Sequence, residues 1–331
     1  MVMTATQFPA APIAVSPAAG LAGFLCEVTA QPVAFKDCLN CAQHGAPGCP
    51  FHPAIISDII NGIRDPEYAN QLAKQSGAEV GFSVTEIIGC PRQFALKKRF
   101  LYYEKVSAMY RMNFGSGVHA ALSKYMPELG YRESTLTWKF QMGGKHILLT
   151  GTPDLFEYRD DGWHITDYKV TVNPPFGRKV PVCANCGADL RKIEEDRFTC
   201  PTCGGSFGPR SQYFSRVYRP PQARSSHILQ VNLYALLIEK NAAYLKVSHP
   251  VRDAQIVYLG PKGPIRCEAA LNRETAIAFL QFRLKSLLTN DLPPILDEVD
   301  ELWRCDYCPV RAECEQAHGR PVGKASPADE E

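Results

Sequence analysis

What the chain lacks sets its first bounds. No apolar run is long enough to cross a bilayer, so no membrane association is expected. The first 35 residues contain no lysine or arginine. The Ala/Pro-rich opening therefore has no basic start of a secretory signal, and a cytoplasmic location is expected. Nor is there a global basic field. Lys+Arg number 36 against 34 Asp+Glu, a net charge of +2, so any nucleic-acid footprint must be local. Beyond these absences, 331 residues with 45% hydrophobic and 21% charged content suffice for one large or two smaller globular domains.

Cysteine is what the chain has in excess. There are 13, mostly in CxxC pairs. In a sequence of intracellular character that pattern points to metal-binding thiolates before a disulfide framework. Residues 1–35 and 317–331 are expected to be disordered, 36–79 form a Cys/His-rich segment, and 80–316 form the main domain, with an insertion at 180–206. Two stretches are locally basic. "CPRQFALKKRF" carries Arg92, Lys97, Lys98 and Arg99. Residues 208–224 carry Arg210, Arg216, Arg219 and Arg224 among Tyr213, Phe214 and Tyr218, without an acid. Arginines interleaved with aromatics suit phosphate contact plus base stacking, and equally a solvated loop.

Periodicity predicts a mixed α/β fold, a mixed central sheet flanked by helices. "SVTEIIGCPRQFALKKRF" opens with a capping box, Ser83 and Glu86. The glycines of "NFGSGVHAALSKYM" lead into a second helix. Residues 134–170 read as a three-stranded meander, "HILQVNLYALLIEK" as a helix with an apolar stripe, and "AQIVYLG" with "PIRCEAAL" as a hairpin. "RETAIAFLQFRLKSLLT" reads as a long amphipathic helix.

The hairpin "TGTPDLFEYRDDGWHITDYKV" places chemistry among strand formers. Asp167 and Lys169 share a strand face, and a neighbouring strand can bring Asp154 alongside. Paired carboxylates repel and are costly to desolvate unless a divalent cation lies between them, and hard oxygen ligands suit Mg²⁺ or Mn²⁺. A lysine beside them can orient or deprotonate a water and offset charge on a phosphate in transition. An exposed Asp–Lys pair on a surface hairpin is the plainer alternative.

"GTPDL" followed by "TDYK" resembles motifs II and III of the PD-(D/E)XK nuclease superfamily, with the restriction-endonuclease-like core. "GSGVHAAL" places His119 like the histidine motif of its RecB-like branch, and "QVNLY" places Gln230 and Tyr234 like its Q-xxx-Y motif. The resemblance implies that His119, Asp154, Asp167 and the Tyr168 carbonyl hold the catalytic metal and that Lys169 serves the attacking water. Gln230 and Tyr234 would contact nucleic acid or steady the site, and Arg216 and Arg219 are further DNA-binding candidates.

Cys305, Cys308 and Cys314 want a fourth thiolate, and Cys90 in "GCPRQF" lies more than two hundred residues earlier, just before the core. This early Cys-Pro with a late triplet resembles the iron–sulfur members of that branch, the Cas-four CRISPR-adaptation exonucleases and AddB-like helicase–nucleases. It implies a [4Fe–4S] clasp at the C-terminus; a four-thiolate zinc site fits the same spacing. Cys183, Cys186, Cys200 and Cys203 form a zinc-ribbon pattern for Zn²⁺. Cys38, Cys41, Cys49 and His52 suit another zinc, while Cys26 and Cys267 are read as small buried thiols.

The expectation is a metal-dependent DNA exonuclease acting on single strands or ends, leaving a 3′-hydroxyl and a 5′-phosphate, with protein partners in DNA processing or CRISPR adaptation. A structure-specific endonuclease of a phage or mobile element, a DNA-binding scaffold subunit, and an RNA-processing enzyme remain alternatives.

Overall fold

The structure, a computed structural model, describes residues 20–45, 47–63, 68–125, 130–159, 161–194, 197–208, 214–245, 249–289, 292–294 and 304–318. The first half runs β1 (Gly20–Leu25), β2 (Pro32–Val33), α1 (Phe35–Gln43), α2 (Pro53–Asn61), α3 (Tyr68–Gln75), β3 (Val80–Ser83), α4 (Val84–Ile88), α5 (Pro91–Lys97), β4 (Leu101–Lys105) and α6 (Val106–Tyr125). The disorder expected for residues 1–35 is corrected over Gly20–Val33. Its apolar "GLAGFL" pairs in parallel with β4 and buries Phe24 completely. Residues 1–19 and 319–331 lie outside the described residues. Phe24, Ile56 and Ile59 share a small core with Val106 and Met109 of α6, which ties the segment before residue 80 to the rest.

The capping box forms as expected. Ser83 Oγ accepts from the Glu86 N–H, and Glu86 accepts from the Ser83 N–H at 2.6 Å. The helix then breaks at Gly89–Cys90, and Pro91 restarts it as α5 with Cys90 as N-cap. The helix expected to begin after Gly115 and Gly117 instead starts at Val106, and α6 runs through both. Their intrinsic cost of about 1 kcal/mol each is outweighed by packing that anchors Val106 and Met109 at its start.

Next come β5 (Tyr131–Arg132), β6 (Leu136–Met142), β7 (Lys145–Gly151), β8 (Leu155–Arg159) and β9 (Gly162–Val170). The expected meander is corrected here. Its middle strand splits at Thr152–Pro153–Asp154, where proline has no ladder N–H to give. β7 joins β3 and β6, while β8 joins a five-stranded sheet of order β16-β15-β9-β8-β5.

The remaining elements are β10 (Arg178–Cys183), β11 (Arg191–Glu194), β12 (Arg197–Thr199), β13 (Ser206–Phe207), β14 (Phe214–Arg219), α7 (Ser225–Lys240), α8 (Ala242–Leu245), β15 (Val251–Gly260), β16 (Gly263–Ala269), α9 (Arg273–Leu288) and α10 (Arg311–His318). β15 and β16 form the expected hairpin. In α7 the expected stripe gives way to burial all round, from Gln230 through Ile238, because it lies in the main core with α4, α9 and both sheets. Mixed sheets packed with helices make this an α/β protein. Among the described residues no helix is long and apolar enough to cross a membrane.

One glycine shows how closely the layers meet. A Cβ at Gly81 would sit 1.9 Å from the Ala69 carbonyl oxygen. Backbone on backbone cannot yield, so Gly81→Ala is expected to cost about 2 kcal/mol, read as a lowered denaturation midpoint at unchanged slope.

Candidate active site and metal centres

β9 is the central strand on which the site is built. Trp163 and Ile165 point into the core, and the same alternation carries Asp167 and Lys169 to the end of that face. Asp167 is 1% exposed. Its Oδ2 lies 2.6 Å from Lys169 Nζ, a charge-assisted contact. Burial pushes the Asp167 carboxyl up to about 6, Lys169 opposes that, and the nearby Asp154 charge adds to it.

Asp154 sits at the break between β7 and β8. Its Oδ2 accepts from the Tyr168 N–H at 2.6 Å, and its Oδ1 lies 3.0 Å from His119 Nδ1 on α6. Glu133 approaches the same imidazole nitrogen at 3.7 Å. Hydrogen bonding to Asp154, then to Glu133, raises the His119 pKa to about 10. One ligand atom from each of His119, Glu133 and Asp154 falls within 4.8 Å of the others, a grouping that could hold a metal ion. Sequence reading brought His119, Asp154, Asp167 and Lys169 to this place but missed Glu133. No motif marks it. It stands after the two-residue β5 with φ of 44°, held by its N–H to the Asp154 carbonyl at 3.2 Å. Left-handed backbone at a non-glycine residue is a signal only coordinates carry.

Gln230 and Tyr234 lie one turn apart on α7 and bond to each other at 2.8 Å, both buried. Burial first, then the charges of Asp167, Asp154 and Glu133, raises the Tyr234 pKa. The pair therefore closes the floor of the site. Gly151 makes room for it, since a Cβ there would meet Tyr234 and Leu237 within 3.0 Å. His227, also unanticipated, is a half-buried neighbour of Lys169. Burial, then Lys169 and Arg224, depress its pKa to about 3, and its Nδ1 meets the Tyr258 hydroxyl at 2.8 Å.

The insertion gathers Cys183, Cys186, Cys200 and Cys203 within metal-binding distance. Sγ separations are 3.6 Å for Cys183–Cys203 and 3.5 Å for Cys186–Cys200. Arg219 is paired with Asp189 at 2.7 Å, Arg216 is exposed on β14, and Arg210 and Tyr213 lie outside the described residues. Cys90, Cys305, Cys308 and Cys314 face one another between α5 and α10, where Cys90 acts electrostatically on the other three. Gln93 bridges the set through its N–H to Cys90 Sγ and its Nε2 to Cys308 Sγ, each at 3.5 Å. These sulfurs form no group within 4.8 Å. Nor do Cys38, Cys41, Cys49 and His52; His52 instead caps α2, its Nδ1 accepting from the Ala54 N–H. Cys267 is a buried core thiol, as expected, while Cys26 is only half-buried.

No family model matches the chain, and no curated protein does. Nine chains of solved structures are similar. One, "Crystal structure of SSO0001", has 13% identity and a TM-score of 0.42, over 79% of this chain and 94% of that one.

Because His227 is held neutral, the unfolded chain binds a proton there below about pH 6.5 that the folded chain refuses until about pH 3. Stability from this group is therefore present above pH 6.5 and lost as pH falls. The expected outcome is a wild-type acid slope approaching one proton between pH 6 and 4. In His227→Asn that component is absent, and the stability difference between the two proteins shrinks as pH drops. Urea titrations at each pH read it.

Proposed function

We propose that the chain is a metal-dependent deoxyribonuclease with a RecB-like PD-(D/E)XK core, acting on single-stranded DNA or DNA ends. The observation that carries this reading is that His119 of α6, Asp154 at the strand break, and Asp167 and Lys169 of β9 come close to one another. His119, Glu133 and Asp154 gathered within 4.8 Å, beside a buried Asp167 carboxylate whose one close partner is Lys169, make a donor set that a hard cation fits.

His119, Asp154, Asp167, the Tyr168 carbonyl and, in addition, Glu133 would hold Mg²⁺ or Mn²⁺. Such an ion, when bound, supplies Lewis acidity and a more acidic water. The chain's own part is then defined. His119 must release the proton that Asp154 and Glu133 favour before its nitrogen can ligate. Lys169, partly exposed beside Asp167, orients the water and offsets charge on the scissile phosphate. Gln230 and Tyr234, buried and bonded to each other, back the site without bonding its carboxylates. Gly115 and Gly117 leave α6 bare ahead of His119, since a Cβ at either would meet nothing within 4 Å. A polymer backbone can approach closely there.

The thiol sets support two kinds of centre. A tetrahedral zinc with Zn–S of about 2.3 Å separates sulfurs by about 3.8 Å, close to the ribbon spacing of 3.5–3.6 Å. The Cys90 set does not gather within 4.8 Å, and its [4Fe–4S] reading rests on the order of an early cysteine and a late triplet.

Labelled single strands are expected to be cut only with Mg²⁺ or Mn²⁺, and Lys169→Ala to lower the rate at least a hundredfold. Equal cleavage by the variant, or none by wild type on any DNA, would remove the nuclease reading. Opening of circular single strands would convert it to the endonuclease. Separately, anaerobically purified protein is expected to be brown and to hold one ribbon zinc. Cys308→Ala should lose the iron and Cys200→Ser the zinc, by elemental analysis.

A further inference from the structure

The knot at the N-terminus has a different fourth ligand from the one its spacing suggests. In the ribbon, each CxxC sits in the same backbone turn. The Cys183 N–H donates to the carbonyl of Ala188, and the Gly187 N–H donates back to the Cys183 carbonyl, at 2.9 and 2.8 Å. Cys200 repeats this with Gly205 and Gly204 at 2.8 and 2.9 Å. In both, the residue four places on is left-handed, φ 70° at Gly187 and Gly204.

Cys26 sits in that same turn. Its N–H donates to the Gln31 carbonyl at 2.9 Å, the Ala30 N–H donates to its carbonyl at 2.9 Å, and Ala30 has φ of 55°. For alanine that conformation is strained. The N–H groups two and three residues on point at the sulfur in both cases, Val28 and Thr29 at Cys26 as Thr202 and Cys203 at Cys200. Such donors stabilise a thiolate. The turn thus has the form of a metal knuckle whose second cysteine position is held by Thr29.

Three more thiols stand around the turn, although no three of the four sulfurs lie within 4.8 Å of one another before a metal draws them together. Cys38 and Cys41 share a face of α1, and the thiols whose charge reaches Cys38 are Cys49, Cys26 and Cys41. The loop before Cys49 lies against the Cys26 turn, since a Cβ on Gly48 would be 3.9 Å from Val28. His52, by contrast, uses its Nδ1 as a helix cap.

We infer that Cys26, Cys38, Cys41 and Cys49 form a further metal centre of four thiolates, holding a single zinc ion or an iron–sulfur cluster, and that His52 is not a ligand. Binding releases the thiol protons. The centre also braces α6, because Glu27, next to Cys26, accepts from the Ser107 N–H at 2.8 Å in its first turn.

Zinc and iron per chain, measured on the full-length protein purified without oxygen, test this. Cys26→Ser and Cys41→Ser are each expected to lose one centre's metal, while His52→Asn, which keeps the cap, retains it. Cys41 is exposed, so its loss removes no packing. Loss of one zinc identifies a single ion, and loss of several irons a cluster. Wild type with metal for only the Cys183 and Cys90 sets, unchanged metal in Cys26→Ser, or loss in His52→Asn would overturn the assignment.

Discussion

Asp167 occupies the place where the fold's stability and its chemistry conflict. Trp163 and Ile165 fill the same face of β9, and an apolar residue at 167 would extend the core at no electrostatic cost. A carboxylate there is stripped of water, set near Asp154, and answered by a single ammonium at 2.6 Å. A buried charge short of partners is tolerated where something else supplies the missing charge. The surroundings are arranged around that need. β15 and β8 hold β9 centrally, Gly151 lets α7 close over it, and Gln230 with Tyr234 satisfies each other so that neither competes for the carboxylate.

The thiol sets work at the periphery of this arrangement. The ribbon's own apolar cluster is Cys183, Leu190, Cys200 and Phe207 with two partly buried neighbours, too small to order a fold alone. Metal coordination is folding free energy for such a unit. The Cys90 set joins chain positions more than two hundred residues apart, and loop closure of that length carries a large unfolded-state entropy cost once linked. Arg92, buried with Nε on the Pro293 carbonyl at 2.8 Å, fastens the same joint without metal. The basic charge of "CPRQFALKKRF" is thus partly spent internally, as Lys97 pairs with Glu104 at 2.8 Å.

Legibility in the sequence followed the range of the interactions. Ser83 with Glu86, the β8–β9 hairpin and the β15–β16 hairpin depend on neighbours a few residues away, and all three read correctly. The convergence of His119 with Asp154 was legible only through the order of motifs; spacing alone does not bring residues 35 apart together. Glu133 and His227 escaped because their roles come from tertiary placement: a left-handed residue behind a two-residue strand, and an imidazole beside Lys169. Cys26 escaped for a related reason. Its partner position is Thr29, so the CxxC that advertises a knuckle is missing while the backbone turn survives.

That turn also bears on why α6 remains one helix through two glycines. A helix weakened at Gly115 and Gly117 transmits position poorly unless both ends are held. Its first turn is held by Glu27 and by Val106 and Met109 in the N-terminal core, and its far part by His119 on Asp154. The glycines lie between these anchors, with open space about them. Rigidity is therefore supplied from outside the helix, and the bare stretch stays open on its outer side. The N-terminal segment, attached through β1 and β4, is in this arrangement part of the support for the site.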